Sequence, residues 1–461
     1  MEERSLKFIA EACAAEIKRG SGDTPVQRVV TDSRQAQAGD LFFAIEGERF
    51  DGHKFLSEVA ARGVTGLVVK REKIPAPLPD CAVLAVTDPR VALGQLAAAY
   101  RNEFVLPVIA VGGSNGKTTV KELIASVLRQ KLETLWSEAS FNNDIGVPLT
   151  LLRLDRSHQA AVLEAGTNHP GELAPLVKMI RPKYGVITNI GREHLEYFGD
   201  VAGVAQEEGW LAELLPADGR LFVNGDNDWT DRITSRTRAA VVRVGLGGNN
   251  DWRAKGIRLN KNGATFTVNA PKAGFSGEYR VNLLGRHQVV NALFAVAVSE
   301  ELGLGRPAVQ DGLAECLPVK MRLQFWEAGG VRVLDDAYNA NADSVIAALE
   351  TLCELPLQGR RVAVLGDMAE LGAQSEAAHA EVGRRAAELG IGQLFAVGKM
   401  APVLAAAARG AGLNRVIEFA DVEAAMAVVK NFLKAGDVVL LKASRASRLE
   451  RIAETLRSEK S

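Results

Sequence analysis

Residues 109–122 read IAVGGSNGKTTVKE, and the reading of this stretch decides the fold around it. On its amino side the run PVIAV is apolar and β-branched, as a buried strand requires. On its carboxyl side Val120, Leu123, Ile124, Val127 and Leu128 recur at the spacing of one helix face. A glycine-rich turn between a strand and a helix is a phosphate cradle, because glycines let backbone N–H groups face the anion and the helix N-terminus adds positive potential. Gly113, Ser114, Asn115, Gly116, Lys117, Thr118 and Thr119 are accordingly read as a loop that holds a nucleotide triphosphate, with Lys117 a point charge for the outer phosphates and the Thr118 hydroxyl a ligand for Mg2+. The usual spacing of such loops puts a glycine where Val111 stands, so this loop is shorter than the standard one.

Further strands follow at AAVLEAG and YGVITNIG, each ending in polar residues, which is the pattern of a parallel sheet with its site at the strands' carboxyl ends. Glu164 closes the first strand and His194 follows the second, so a carboxylate and an imidazole are expected beside the loop, both able to hold Mg2+ or its waters. Upstream, apolar runs such as DLFFAI and VTGLVVK alternate with helical stretches and end in the helical PRVALGQLAAAYRNE. Downstream, VRVLDDAYNA, RRVAVLGDM, QLFAVGK and DVVLLKAS read as strands separated by Ala-rich amphipathic helices. The chain is therefore expected to be α/β in three domains: a small α/β domain at 1–104, a central parallel-sheet ATPase domain at 105–316, and a Rossmann-like doubly wound domain at 317–461.

The 461 residues exceed what one ordinary core accommodates. Fifty-five basic residues against 56 acidic ones leave a net charge of -1, so no overall field favours nucleic acid or an anionic membrane, and any anion site must be local. No window approaches the ~20 apolar residues of a membrane span. The opening MEERSLKFIAEACAAEIKRG breaks every apolar run with charge, unlike a signal peptide. A cytoplasmic chain with no nucleic-acid partner and no membrane insertion is expected. Cys13, Cys81, Cys316 and Cys353 fit no ligand spacing and are expected to be buried reduced thiols.

The shortened G-[ST]-[NS]-G-K-T loop resembles that of the Mur ligase and folylpolyglutamate synthase superfamily, whose members make amide bonds with ATP. EAGTN, led by Glu164, and TNIGREH, ending in His194, resemble the family's E-x-G-x-N and T-N-[IA]-x-x-[ED]-H segments. LLGRHQVVNALFAVAV resembles the helix that reaches the adenosine, with Asn291 in place and Gln288 where an asparagine is more usual. One departure stands out. The family generally carries an A-K-G-E stretch whose carbamylated lysine supplies a carboxylate-like ligand for a second Mg2+, and here VAQEEGWLAEL has Glu208 in the lysine's place. By that resemblance Glu208 is expected to offer similar oxygens from a shorter arm without needing CO2.

In KMRLQFWEAGGVRVLDDAYNANADSVIAAL, Arg322 resembles the arginine that crosses the domain junction toward ATP phosphate, and Asp336, Tyr338 and Asn339 resemble residues that approach the nucleotide. The form DDAYNAN, together with VLGDMAELGAQSEAAH and GDVVLLKASRASRLERI, resembles the branch of the family that adds D-alanyl-D-alanine. In VTDSRQAQAGDLFFAIEGERFDGHKF, Ser33, Arg34, Asp51, Gly52 and His53 resemble a UDP-sugar recognition segment. In SFNNDIGVPLTLL, Asn142 and Asn143 resemble residues that meet the muramoyl-peptide. The resemblance thus implies a monomeric ligase that joins D-alanyl-D-alanine to UDP-N-acetylmuramoyl-tripeptide through an acyl phosphate. It further implies Lys117, Glu164, His194 and Arg322 as catalytic residues, ATP bound between the second and third domains, and Mg2+ held by Thr118, Glu164, His194 and Glu208. Diaminopimelate and lysine both stay open as the tripeptide's last residue, and a folylpolyglutamate synthase-type ligase is the alternative.

Overall fold

The computed structural model describes residues 1–47, 50–356 and 358–457. Glu48 and Arg49, within the segment read as UDP-sugar recognition, and residues 458–461 of the expected third domain lie outside the described residues, as does Leu357. Among the described residues three large α/β sheets carry the chain, with strands spanning 16–86, 108–281 and 324–442.

In the central sheet Val108–Gly112 lies between Ala160–Glu164 and Tyr184–Ile187, parallel to both. That order alone brings Glu164 and the segment after Ile187 to either side of the phosphate loop. Arg220–Asn224 and Ala240–Gly245 extend the parallel part, and Trp252–Asn260, Gly263–Asn269 and Gly277–Val281 close one edge as an antiparallel ladder. Side chains of Val108–Gly112 alternate between two buried faces, as a sheet covered on both sides requires. Val108 and Ala110 share a core with the helices Pro89–Arg101 and Leu173–Ile180. Ile109 and Val111 share the other with Lys117–Leu128 and His287–Glu301. The strand's core face therefore claims Val111, and the turn can begin only after it.

The third sheet orders its parallel strands Val331–Asp336, Val438–Lys442, Arg361–Gly366, Gln393–Val397 and Val416–Phe419, with Gln324–Ala328 antiparallel at one edge. Val362 and Val364 face the helices Val422–Phe432 and Glu450–Arg457, while Ala363 and Leu365 face the core that holds Ala342–Glu354 and Ser375–Glu388. Helices thus cover both faces in a doubly wound, Rossmann-like arrangement. Val438–Lys442 separates two strands that are successive parallel members in sequence, which opens a crevice at the carboxyl ends where Asp336 and Lys442 stand.

The first sheet aligns Arg28–Val30, Asp40–Phe43, Gly66–Lys70 and Ala82–Val86 in parallel, with Glu16–Arg19 antiparallel at its edge. The helix Pro89–Arg101, capped by Asp88, joins it to the central sheet: the Tyr100 hydroxyl donates to Leu154 O at 2.6 Å and accepts from Glu2 N at 2.7 Å. The four cysteines are free. Cys13 and Cys316 are buried as expected, but Cys81 and Cys353 are only half-buried.

Candidate active site between the central and third sheets

The carboxyl ends of the two larger sheets face each other across a cavity of about 430 Å³. One wall is the loop Ser114 to Thr119 with Asn142, Glu164, Asn189, Glu193, His194 and Asn291. The other is Arg322, Asp336, Tyr338, Asn339, Asn341, Glu370 and Lys442. Gly113 takes φ +106°, and a Cβ there would stand 2.4 Å from the Thr188 Oγ1, so only glycine admits this path. Asn189 shapes the turn from below: its backbone oxygen accepts from Ser114 N at 2.9 Å and its Oδ1 from Asn115 N at 2.8 Å.

Lys117 Nζ donates to Glu193 Oε2 at 3.1 Å and to Gly113 O at 2.5 Å. Burial works against its charge, yet Glu193, Glu208 and Glu164 together hold the ammonium above its ordinary pKa. Glu164 Oε1 accepts from Asn142 Nδ2 at 2.8 Å, whereas Glu164 Oε2 and Glu193 Oε1 are buried without a partner among the described residues. Partnerless carboxylate oxygens behind a phosphate loop, with the Thr118 hydroxyl nearby, are a donor set that suits Mg2+. No group of three or more His, Cys, Asp or Glu among the described residues forms a cage, as fits an ion that takes one or two carboxylates and fills the rest with water and phosphate oxygens.

On the opposite wall the Arg322 guanidinium lies 4.1 Å from the centre of the Tyr338 ring, a cation–π contact between two cavity-lining residues. Lys442 Nζ donates to Asp336 Oδ2 at 2.6 Å and to Asn339 O at 3.1 Å. Asn341 caps the helix Ala342–Glu354 and reaches across to Asn115 Oδ1 at 3.0 Å. Arg192, from the central domain, donates to Asp343 Oδ1 at 2.6 and 2.8 Å and to Glu381 Oε2 at 2.5 Å.

Three family models match in order along the chain: Mur ligase family, catalytic domain, at 25–101; Mur ligase middle domain, at 111–299; and Mur ligase, glutamate ligase domain, at 321–445. The chain is 40% identical to the UDP-N-acetylmuramoyl-tripeptide–D-alanyl-D-alanine ligase of Escherichia coli (strain K12), over 94% of each. It belongs to the Mur ligase family. Among solved Mur ligases, it resembles MurF from Acinetobacter baumannii at 34% identity, 99% of each chain and a TM-score of 0.91. MurF from Thermotoga maritima in complex with ADP matches at 26% identity, 94% of this chain, 98% of that chain and a TM-score of 0.82. A Mycobacterium tuberculosis folylpolyglutamate synthase shares the fold alone, at 17% identity over 80% of this chain and 95% of that one with a TM-score of 0.62, so the alternative kind of ligase is set aside.

Some residues expected in this Mur ligase site stand elsewhere. Glu208 does not line the cavity. It is fully buried behind the loop, where its Oε2 accepts from Gly113 N at 2.6 Å and its Oε1 has no partner among the described residues. Burial pushes its carboxyl up to about 8 against the pull of Lys117. The short glutamate arm is captured by the back of the loop before it can reach the cavity that His194 faces. Asn143 is likewise absent from the cavity wall: its Oδ1 turns to the start of the helix Gly146–Leu151, accepting from Gly146 N at 2.9 Å.

Ser33, Arg34, Asp51, Gly52 and His53, all on the first sheet's loops, lie outside this cavity. Arg34 pairs with Asp32, and His53 spends both ring nitrogens locally, Nδ1 on Asp51 Oδ1 at 2.7 Å and Nε2 accepting from Lys70 N at 3.0 Å. Glu193, Asn189, Glu370 and Lys442 line the cavity but were not singled out from the sequence. Each falls inside a segment quoted for a neighbour, TNIGREH, VLGDMAELG or DVVLLKAS, and only the folded backbone shows which side chain of the segment turns inward.

Proposed function

We propose that this chain joins D-alanyl-D-alanine to UDP-N-acetylmuramoyl-tripeptide, with ATP converting the tripeptide's terminal carboxylate to an acyl phosphate that the dipeptide amine then attacks. The observation that carries this reading is the divided site: the phosphate loop stands on the central sheet while Arg322, Asp336, Tyr338 and Asn339 face it from the third. A carboxylate is a poor electrophile in water, and an acyl phosphate is lost to water unless shielded. A cavity whose two walls belong to two domains can assemble the reactants and exclude solvent when it closes.

In this reading Lys117 stabilises charge on the transferring phosphoryl group and Arg322 the ATP phosphates from the opposite wall. Asn291, Asp336, Tyr338 and Asn339 hold the nucleotide. Thr118, Glu164 and His194 would hold Mg2+, which when bound neutralises outer phosphate oxygens. Glu208 supports the site indirectly, its Oε2 accepting from the Gly113 N–H and bracing the back of the loop. Ser33, Arg34, Asp51, Gly52 and His53 border the UDP end of the substrate, with Asn142 and Asn143 toward the muramoyl-peptide. The enzyme works as a cytoplasmic monomer; no helix among the described residues is long and apolar enough to cross a membrane.

Mass spectrometry of the products from ATP, D-alanyl-D-alanine and each of two UDP-tripeptides, one ending in diaminopimelate and one in lysine, tests the proposal. A UDP-pentapeptide formed with one equivalent of ADP is the expected result. Phosphate release that ignores the dipeptide, with no adduct, would overturn it.

A further inference from the structure

His194 and Glu370 are both non-glycine residues in the left-handed region, at φ +48° and +60°, on opposite walls of the cavity. Strained backbone persists only where the surroundings impose it, and it gathers at sites of function. Here the two strained residues aim at one another: His194 Nδ1 lies 2.5 Å from Glu370 Oε2. The same loop of the third domain seats its backbone on the segment after His194. Glu196 N donates to Glu370 O at 3.0 Å, Gln374 Nε2 donates to Gly199 O at 3.0 Å, and a Cβ on Gly372 would stand 3.1 Å from Glu196 Cα.

We propose that Glu370 is a positioning residue which, when the third domain docks, orients the His194 imidazole and leaves its Nε2 lone pair facing the cation site. The proposal rests on the reading of His194 as a Mg2+ ligand. A carboxylate only accepts hydrogen bonds, so the proton of the neutral imidazole sits on Nδ1, and Nε2 is left as the donor to a metal ion. A carboxylate hydrogen-bonded to the far nitrogen of a ligating imidazole fixes both tautomer and ring direction, and its loss typically weakens metal binding by roughly ten- to a hundredfold. Because the carboxylate comes from a different domain than the imidazole, domain docking and cation affinity become one event. Arg192, with its bonds to Asp343 and Glu381, supplies docking without touching His194, so orientation and docking are separable.

Mn2+ is the probe, added to the full chain with a nonhydrolysable ATP analogue and the UDP-tripeptide. Nitrogen modulation of the Mn2+ electron spin echo reports imidazole coordination directly. The wild type should show this modulation and the His194→Ala variant should lose it. Glu370→Ala should raise the Mn2+ concentration for half-saturation by roughly ten- to a hundredfold and weaken the modulation. Glu370→Gln, whose amide oxygen still accepts from Nδ1, should recover most of both. Without nucleotide, where docking is not driven, wild type and Glu370→Ala should bind Mn2+ alike. Full modulation and unchanged affinity in Glu370→Ala would overturn the positioning role while leaving His194 a ligand. No nitrogen modulation in the wild type would overturn the ligand reading, and the proposal with it.

Discussion

Val111→Gly restores the spacing of the longer phosphate loop, and the structure predicts that it damages the protein without improving the loop. Val111 is wholly buried on Val108–Gly112, in one core with Ile109, Val162, Val186 and the helix Lys117–Leu128. Its backbone oxygen accepts from Ala165 N at 2.9 Å, which keeps position 111 in strand geometry. Removing three buried carbons at about 0.8 kcal/mol each costs about 2.4 kcal/mol. The unfilled volume and the extra backbone freedom of glycine in a strand bring the total to about 3–4 kcal/mol. For a unit the size of the central domain that lowers its melting temperature by roughly 6–16 °C. Scanning calorimetry that follows the central-domain transition measures the loss, and titration with ATP measures affinity, which should not rise because the phosphate-facing amides begin at Gly113. A shift below about 2 °C, or tighter nucleotide binding, would refute the claim that the sheet core and not the ligand dictates residue 111.

Lys117→Ala should lower the rate of ligation by about 10^2–10^3 in single-turnover assays, and near-normal turnover would remove Lys117 from the chemistry. Arg192→Ala breaks the ion pairs with Asp343 and Glu381. At side-chain exposures of 27%, 36% and 39% these contribute about 1–2 kcal/mol, so the closed-to-open ratio obtained from interdomain fluorescence transfer should fall by a factor of roughly 5–30. Burial lowers the His287 imidazole from 6.5 to about 4, so on acidification the unfolded chain protonates first. The contribution is present above about pH 6.5 and lost toward pH 4; the wild-type stability advantage over His287→Gln should shrink across that window by about 1–2 kcal/mol in denaturant titrations, the ring being only half-buried. Glu208→Lys should make ligation respond to bicarbonate, since a carbamylated lysine reaches farther than the glutamate that now stops at Gly113, and an identical rate in CO2-free buffer would argue against that substitution logic.

Short-range order was legible. A strand, turn and helix contiguous over 109–128 impose a phosphate loop through glycine freedom and helical spacing alone, and the apolar runs at 361–366, 393–397 and 438–442 announce a parallel sheet by burial on both faces. Trp252–Asn260, Gly263–Asn269 and Gly277–Val281 were not read as strands, because a ladder with one face toward solvent mixes polar residues into its pattern and carries no turn signal as strong as the glycine loop. The parallel strand Arg220–Asn224 gives a weaker signal, since polar residues at both of its ends leave only Leu221, Phe222 and Val223 as an apolar run.

What the sequence by itself determined is therefore the chemistry available at each strand end: a phosphate loop, a carboxylate at 164, an imidazole at 194, and an acidic, asparagine-rich turn at 335–341. Only the tertiary structure decided which of these groups meet. His194 and Glu370 are 176 residues apart and Asp336 and Lys442 are 106 apart, separations across which no local periodicity operates. The same packing turned Glu208 inward to the back of the loop, because a buried N–H of Gly113 lay within reach of its short arm and an unpaired amide in the interior costs more than an unused place at the cavity.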